Sequence, residues 1–318
     1  MTTNEDLKTI VRQKYGEIAN SDRAESCGCG NAQPGPEPTS CCGPSNSVAD
    51  ITNVDLMIGM NLSYAGKSGY VADADLGLGC GLPTEFAQIR PGDVVLDLGS
   101  GAGNDCFVAR AETGETGRVI GLDMTPAMID RARKNAKTLG YSNVEFIYGD
   151  IEEMPLPDNL ADVVVSNCVM NLVPDKMRAF AETFRVLKLG GHFSISDIVL
   201  TVELPESLQR DAELYAGCVA GSIQETEYLR LVEEAGFTNL IVQKRREIVF
   251  PDALLQQYLT ANEISTYREQ GKGNPTPGIF SITLYAEKPG GKLPKACCDA
   301  RAEQISSGVR VEPGASCC

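Results

Sequence analysis

The chain predicts an α/β fold: an open sheet of parallel strands with helices on both faces, plus a smaller C-terminal α+β region. Three observations predict it. Short apolar runs alternate with amphipathic segments of helical period from Asp93 to Ile198, the order of a parallel sheet whose crossovers are helices. The first run, Val94-Val95-Leu96-Asp97-Leu98, passes straight into Gly99-Ser100-Gly101-Ala102-Gly103, as a buried strand does when it turns tightly into a helix. After Ile198 the alternation stops, and two successive helical patterns precede further strands.

In chain order, Thr2 to Ala19 reads as an amphipathic helix with Leu7, Ile10, Val11, Tyr15 and Ile18 on one face, opened by a Thr2–Glu5 capping box and docked on the main domain. Asn20 to Asn53 is rich in Gly, Pro, Ser and Cys and reads as a loop. Leu76 to Pro83 places Cys80 between Gly79 and Gly81, on an exposed loop, and a short helix starts at Thr84. Strands are expected at Asp93–Leu98, Arg118–Asp123, Val144–Tyr148, Ala161–Ser166 and His192–Ile198. Between them, Thr125-Pro126 opens a helix that buries Met128, Ile129, Ala132, Ala136 and Leu139 and ends at Gly140. Another begins at Pro174, turns Met177, Phe180, Phe184 and Leu187 inward, and ends at Gly190-Gly191. Helices at Pro205–Val219 and Thr226–Ala235, strands at Asn239–Gln243 and Glu247–Phe250, a helix at Asp252–Thr260, a loop at Gly271–Gly278 and a strand at Ile279–Glu287 complete the fold. The domain expectation is an N-terminal helix and Cys-containing segment over 1–70, a ligand-binding domain over 71–200, a C-terminal region over 201–288 and a flexible tail over 289–318.

Composition excludes several function classes. Forty-three acidic residues against 28 basic ones give a net charge of −15, and no basic run occurs, which disfavours nucleic acid and anionic membrane surfaces. The start of the chain has neither a basic segment nor an apolar core of a signal peptide, and no apolar run reaches the roughly 18 residues of a spanning helix. A cytoplasmic, soluble monomer is the expectation, in a compartment where thiols stay reduced. A single histidine, His192, argues against histidine-based hydrolysis, and opens a strand where a structural role suits it.

The glycine loop admits a ligand close to the backbone, and the helix after it offers free N–H groups. Asp97 lies in this loop, Asp123 ends the second strand, and Tyr148-Gly149-Asp150-Ile151-Glu152 ends the third, all at strand ends where such sheets bind ligands. An acid at Asp123 suits a ribose diol. Gly99, Gly101 and Gly103 form G-x-G-x-G, which does not match the G-x-G-x-x-G of dinucleotide sites. Val95 to Gly103, with Gly121-Leu122-Asp123-Met124 and Gly149-Asp150, resembles the class I S-adenosylmethionine-dependent methyltransferases, whose sheet is Rossmann-like. The resemblance implies that the glycine loop, with Asp97, Gly99, Gly101 and Gly103, faces the methionine part of S-adenosylmethionine, Asp123 the ribose, and Asp150 with Ile151 the adenine, with Met124, Glu152 and Asn167 also at the cofactor.

Twelve cysteines in a reducing compartment need a purpose other than disulfides. Cys80 precedes the sheet, Cys168 follows the fourth strand, where a bound methyl donor faces its acceptor, and Cys218 lies in the region beyond. Three convergent thiols suit a soft acceptor such as a trivalent metalloid, whose lone pair is free to displace a methyl group from a sulfonium in line. Gly79-Cys80-Gly81, Asn167-Cys168-Val169-Met170-Asn171-Leu172 and Gly217-Cys218-Val219-Ala220-Gly221 resemble the three cysteine motifs of arsenite methyltransferases. That resemblance implies As(III) held by Cys80, Cys168 and Cys218, arsenite or its thiol conjugates as substrate, and an external thiol, glutathione or thioredoxin, as reductant. It also implies a fourth cysteine assisting the first methylation, which is Cys42 or its neighbour Cys41. Cys106 reads as a small buried hydrophobe. The pairs Cys297-Cys298 and Cys317-Cys318 lack C-x-x-C spacing and are candidates for arsenite capture. Two rivals remain open at this point: a methyltransferase for a small metabolite, and a metalloid-binding sensor or buffer with a vestigial cofactor domain.

Overall fold

The structure, a computed structural model, describes residues 3–20, 64, 66–203, 221–248, 256, 259–269 and 278–290. The elements are α1 (Asn4–Asn20), α2 (Pro83–Phe86), β1 (Val94–Leu98), α3 (Asn104–Thr113), β2 (Arg118–Asp123), α4 (Pro126–Leu139), β3 (Val144–Tyr148), β4 (Ala161–Asn167), α5 (Lys176–Val186), β5 (Leu187–Leu200), α6 (Glu225–Glu234), β6 (Thr238–Ile248), α7 (Ala261–Glu269) and β7 (Ile279–Glu287). A 3₁₀ turn at Met170–Leu172 follows β4.

The strands form one sheet in the order β3-β2-β1-β4-β5-β7-β6. β1 to β5 are parallel, and β7 enters antiparallel between β5 and β6. Strand period 2 divides the core into two layers. Leu96, Leu98, Ile120, Leu122 and Val164 pack with Phe180, Phe193, Tyr228 and Val232 on the face that carries α5 and α6. Val95, Val119, Val163 and Val165 pack with Cys106, Phe107, Ile129 and Ala132 on the face that carries α3 and α4. Because the first four strand ends all point one way, the loops after β1, β2, β3 and β4 gather at one edge. Among the described residues no helix is long and apolar enough to cross a membrane.

Several sequence expectations shift. The capping box of α1 uses Thr3 and Asp6, whose hydroxyl and carboxylate exchange hydrogen bonds with each other's backbone N–H, instead of Thr2 and Glu5. Leu139 is exposed at the end of α4 and does not join its buried stripe. Leu187 is not the last inward residue of a helix: it pairs with Ala161 and starts β5, and the Gly190-Gly191 segment is a bulge before His192 pairs with Val163. The two short strands expected after Thr238 are one edge strand, β6, whose basic stretch stays in the sheet because Arg245 pairs with Glu225 at 2.9 Å and Arg246 reaches the Cys80 carbonyl. Thr260 and Glu263 form a capping box that starts α7 at Ala261, after the helix expected over Asp252–Thr260, most of which lies outside the described residues. The helix expected at Pro205–Val219 and the loop at Gly271–Gly278 likewise lie outside them, Gly278 excepted.

Lys288, just past β7, is buried and ties the sheet to the C-terminus of α5. Its ammonium donates to the carbonyls of Phe184 at 2.8 Å and Leu187 at 2.7 Å and to Asn159 Oδ1 at 3.0 Å. The first two are carbonyls a helix end leaves unpaired, and a cation there is favoured by the dipole. Lys288→Met keeps the apolar stem and removes the donors, so chemical denaturation is expected to show a loss of about 2–4 kcal/mol, the scale of hydrogen bonds to a charged group left unmade.

Candidate active site

A cavity of about 1030 Å³, counted out into its mouth, opens at the edge where the parallel strands end. Its floor is the Gly99 to Gly103 turn. Gly99 and Gly101 have φ of 67° and 51°, a region that favours glycine. A β-carbon at Gly99 would lie 2.7 Å from Val169 Cγ1, whereas at Gly101 the space is open, with Met128 Sδ nearest at 4.0 Å. Gly103, at φ 97°, starts α3 against Phe107 and Phe146. Asp123 braces the turn: its carboxylate accepts from Gly101 N at 2.9 Å and Thr125 N at 2.7 Å. Each of its oxygens keeps further acceptor capacity toward the cavity it lines.

Two buried side-chain oxygens in the lining, Ser100 Oγ and Asn104 Oδ1, have no hydrogen-bond partner among the described residues. Buried polar atoms are seldom left so, which marks these two as acceptors open toward the cavity. The lining is also acidic, with Asp75, Asp97, Asp105, Asp123 and Asp150 against Lys8. Burial pushes the Asp97 carboxyl well up, and the neighbouring Asp105 and Asp123 add to it. Burial raises Asp105 to about 6, opposed by hydrogen bonds from Tyr64 and Asn167. Asp123 is raised by burial as well, opposed by the Thr125 and Gly101 N–H groups. Such a site favours a cation with hydroxyl and amine donors.

Asn167, the last residue of β4, organises the cysteine side of the cavity. Its Oδ1 accepts from Cys80 N at 3.1 Å and Gly81 N at 3.2 Å. Its Nδ2 donates to Gly81 O at 3.0 Å, Tyr64 Oη at 2.6 Å and Asp105 Oδ2 at 3.2 Å. From the opposite side Ser281 Oγ on β7 donates to the Cys80 carbonyl at 2.7 Å. Cys80 is therefore fully buried, contrary to the exposed loop its flanking glycines suggest. Gly79 and Gly81 serve instead to lay the loop flat against Asn167 and Ser196.

Cys168 follows Asn167 directly, at φ 61°, a strained value for this residue type, with its N–H donating to Ser196 O at 2.7 Å. It lines the cavity. The Sγ atoms of Cys80 and Cys168 and a carboxylate oxygen of Asp197 lie within 4.8 Å of one another. Asp197 sits fully buried on β5 and burial raises it to about 7, opposed by Lys176 and by hydrogen bonds from Ile198, Tyr228 and Asn171.

Of the other residues singled out in the sequence, Met124, Asp150 and Ile151 line the cavity. Glu152 is buried behind it, where it accepts from Asp175 N at 2.8 Å and pairs with Lys8, which also pairs with Asp150 at 2.6 Å. Cys106 is buried as expected; its thiol donates to Asp97 at 3.2 Å and is pushed up by burial, so it stays protonated. His192 is structural, with Nε2 on the Ala87 carbonyl at 2.6 Å. Cys42, Cys41, Cys218 and the tail pairs lie outside the described residues. Sequence reasoning missed Lys8, Val11 and Tyr15 of α1 as lining residues, along with Tyr64, Asp105 and Asp197. For Asp197 a signal existed: a lone acid in the apolar strand Ile195-Ser196-Asp197-Ile198-Val199.

A sequence model of the family described as "Methyltransferase domain" matches residues 89–236. The arsenite methyltransferase of Halobacterium salinarum is 42% identical over 251 residues, covering 76% of this chain and 60% of that protein. The human arsenite methyltransferase is 39% identical over 170 residues, covering 48% of this chain and 45% of its own. The chain thus spans three-fifths or less of the curated relatives it matches. The crystal structure of the arsenic(III) S-adenosylmethionine methyltransferase of Chlamydomonas reinhardtii superposes with a TM-score of 0.56 at 36% identity, covering 68% of this chain and 69% of that one. The chain belongs to the arsenite methyltransferase family.

If Asn167 holds the Cys80 loop down, Asn167→Ala leaves two buried N–H groups unpaired, costing roughly 1–3 kcal/mol each. Modification of Cys80 by a thiol reagent, followed by mass spectrometry under native conditions, is then expected to quicken by at least about tenfold, since about 1.4 kcal/mol shifts the open population by that factor. An unchanged rate would contradict the role given to Asn167.

Proposed function

We propose that this chain is an arsenite methyltransferase that moves methyl groups from S-adenosylmethionine to trivalent arsenic held by Cys80, Cys168 and Cys218. The observation that carries the reading is the pair of thiols, Cys80 and Cys168, brought to one corner, with Cys168 at the wall of the acidic cavity. Arsenic is soft and favours thiolates, whereas a carbon, oxygen or nitrogen acceptor would leave both cysteines without a task.

S-adenosylmethionine, when bound, supplies an electrophilic methyl on a sulfonium. The residues fit it: the acidic lining meets its positive charge, Ser100 and Asn104 offer unpaired oxygens, and the open side of Gly101 admits close approach. Asp123 is assigned to the ribose hydroxyls, and Ile151 with Asp150 to the adenine. Cys80 and Cys168 orient the arsenic lone pair toward the cavity, and Asn167 with Ser281 holds Cys80 in place. Bound there, S-adenosylmethionine would give its methyl to the arsenic lone pair, with S-adenosylhomocysteine as the leaving group and the arsenic formally oxidised by two electrons. No general base takes part. Alignment of donor and acceptor supplies on the order of 7–11 kcal/mol in well-oriented systems. An external thiol, glutathione or reduced thioredoxin, returns arsenic to the trivalent state, Cys42 or Cys41 assists the first methylation, and the cytoplasm provides the reducing conditions.

Incubating the protein with arsenite, thiol and S-adenosylmethionine is expected to yield methylated arsenic together with S-adenosylhomocysteine. Cys168→Ser should lower the rate by about a hundredfold or more, as loss of orientation does, while S-adenosylmethionine still binds. Wild-type rates in Cys80→Ser and Cys168→Ser would overturn the reading.

A further inference from the structure

The corner formed by Cys80, Cys168 and Asp197 contains more than thiophilic capture needs. Arsenic bound through thiolates is neutral and gains little from a carboxylate. Yet Asp197 is fully buried with an oxygen within 4.8 Å of both sulfurs. We propose that this corner also binds a borderline-soft divalent cation of the zinc type, and that the cation competes there with arsenite. Cation binding stands on these three residues alone; the competition rests on the arsenite reading above.

The donor set is what such a cation takes: two thiolates and a carboxylate oxygen, with bonds of about 2.3 and 2.0–2.2 Å. Ligands around a tetrahedral Zn²⁺ stand roughly 3.8 Å apart, so the corner closes by about 1 Å at most. The carboxylate is already oriented, with Oδ1 accepting from Ile198 N at 3.0 Å and Oδ2 from Tyr228 Oη at 3.2 Å, the outer hydrogen bonds that fix a metal ligand. Charge closes too. Three negative ligands around a divalent ion leave one excess negative charge, and Lys176 is the cation that acts on Asp197. As the ion enters, the thiol protons and any proton on Asp197 pass to solvent. Cys168 lines the cavity, which gives the corner its route to water.

Co²⁺ reports thiolate ligation through its charge-transfer and tetrahedral visible bands, so it serves as the probe on the reduced full-length chain. The wild type is expected to show these bands, and Zn²⁺ and arsenite to displace them. Asp197→Asn should weaken Co²⁺ by about tenfold or more, the lower range for disturbed metal ligation. Its affinity for S-adenosylmethionine should hold, because Asp197 does not line that cavity. Co²⁺ binding equal to wild type in both Asp197→Asn and Cys168→Ser would overturn the site, placing the ion on cysteines elsewhere in the chain. Should Asp197→Asn fail to fold, zinc-edge X-ray absorption on the wild type with one equivalent of Zn²⁺ decides: a mixed sulfur and oxygen shell is expected, and an all-sulfur shell overturns the proposal. Cation binding as expected without arsenite displacement or methylated product would instead remove the arsenite reading and leave the cation site standing.

Discussion

The hydrogen bonds made by the Asn167 amide are the constraint on which the site depends. One side chain at the end of β4 accepts from Cys80 and Gly81, and donates to Gly81, Tyr64 and Asp105. Since Cys168 is its chain neighbour, the position of Asn167 sets both cysteines at once, although they are far apart in sequence. A half-buried amide with its capacity this fully used is costly to disturb, because Cys80, Gly81 and Tyr64, which it would leave, are buried. β7 completes the clamp through Ser281, so the antiparallel strand that distinguishes this sheet from a wholly parallel one also helps to place a thiol.

The cavity beside this clamp is a place of unrelieved electrostatics. Asp97 and Asp123 are buried and Asp105 half-buried, all three with carboxyls raised above the ordinary range, and Asp97 feels both of the others. The protein keeps them there at a cost in stability, as functional sites commonly do. A cationic ligand offsets that cost, so these residues favour a positively charged group in the cavity. Above the cavity, α1 is held by Lys8 on Asp150 and Glu152 and by Arg131 on the Ala19 carbonyl, which puts Val11 and Tyr15 over the opening.

Much of this was legible in the sequence. Strand bounds at Arg118–Asp123, Val144–Tyr148 and Ile279–Glu287 follow from apolar runs with clear turn signals, and the glycine loop with Asp123 marked the cavity, because local pattern and tertiary burial agree there. Where they part, the sequence misled. Glycines around Cys80 suggested exposure, but glycine also permits close packing, and only the fold shows that Asn167 and Ser196 lie beneath. Leu187 belonged to a helical stripe until its pairing with Ala161 prevailed, and the charges of β6 concealed a strand that ion pairs hold. Asp105 and Asp197 carried no motif. Their significance is three-dimensional: one joins Tyr64 to Asn167, the other lies within 4.8 Å of two thiols.

The central claim is that Cys80 and Cys168 together hold the acceptor at the wall of the donor cavity. Anomalous diffraction at the arsenic edge, on crystals of the protein with S-adenosylhomocysteine soaked in arsenite, tests this most directly. The account predicts an arsenic peak within bonding distance of both Sγ atoms, beside the glycine loop. An arsenic peak found only on other cysteines, with Cys80 and Cys168 unligated, would contradict it.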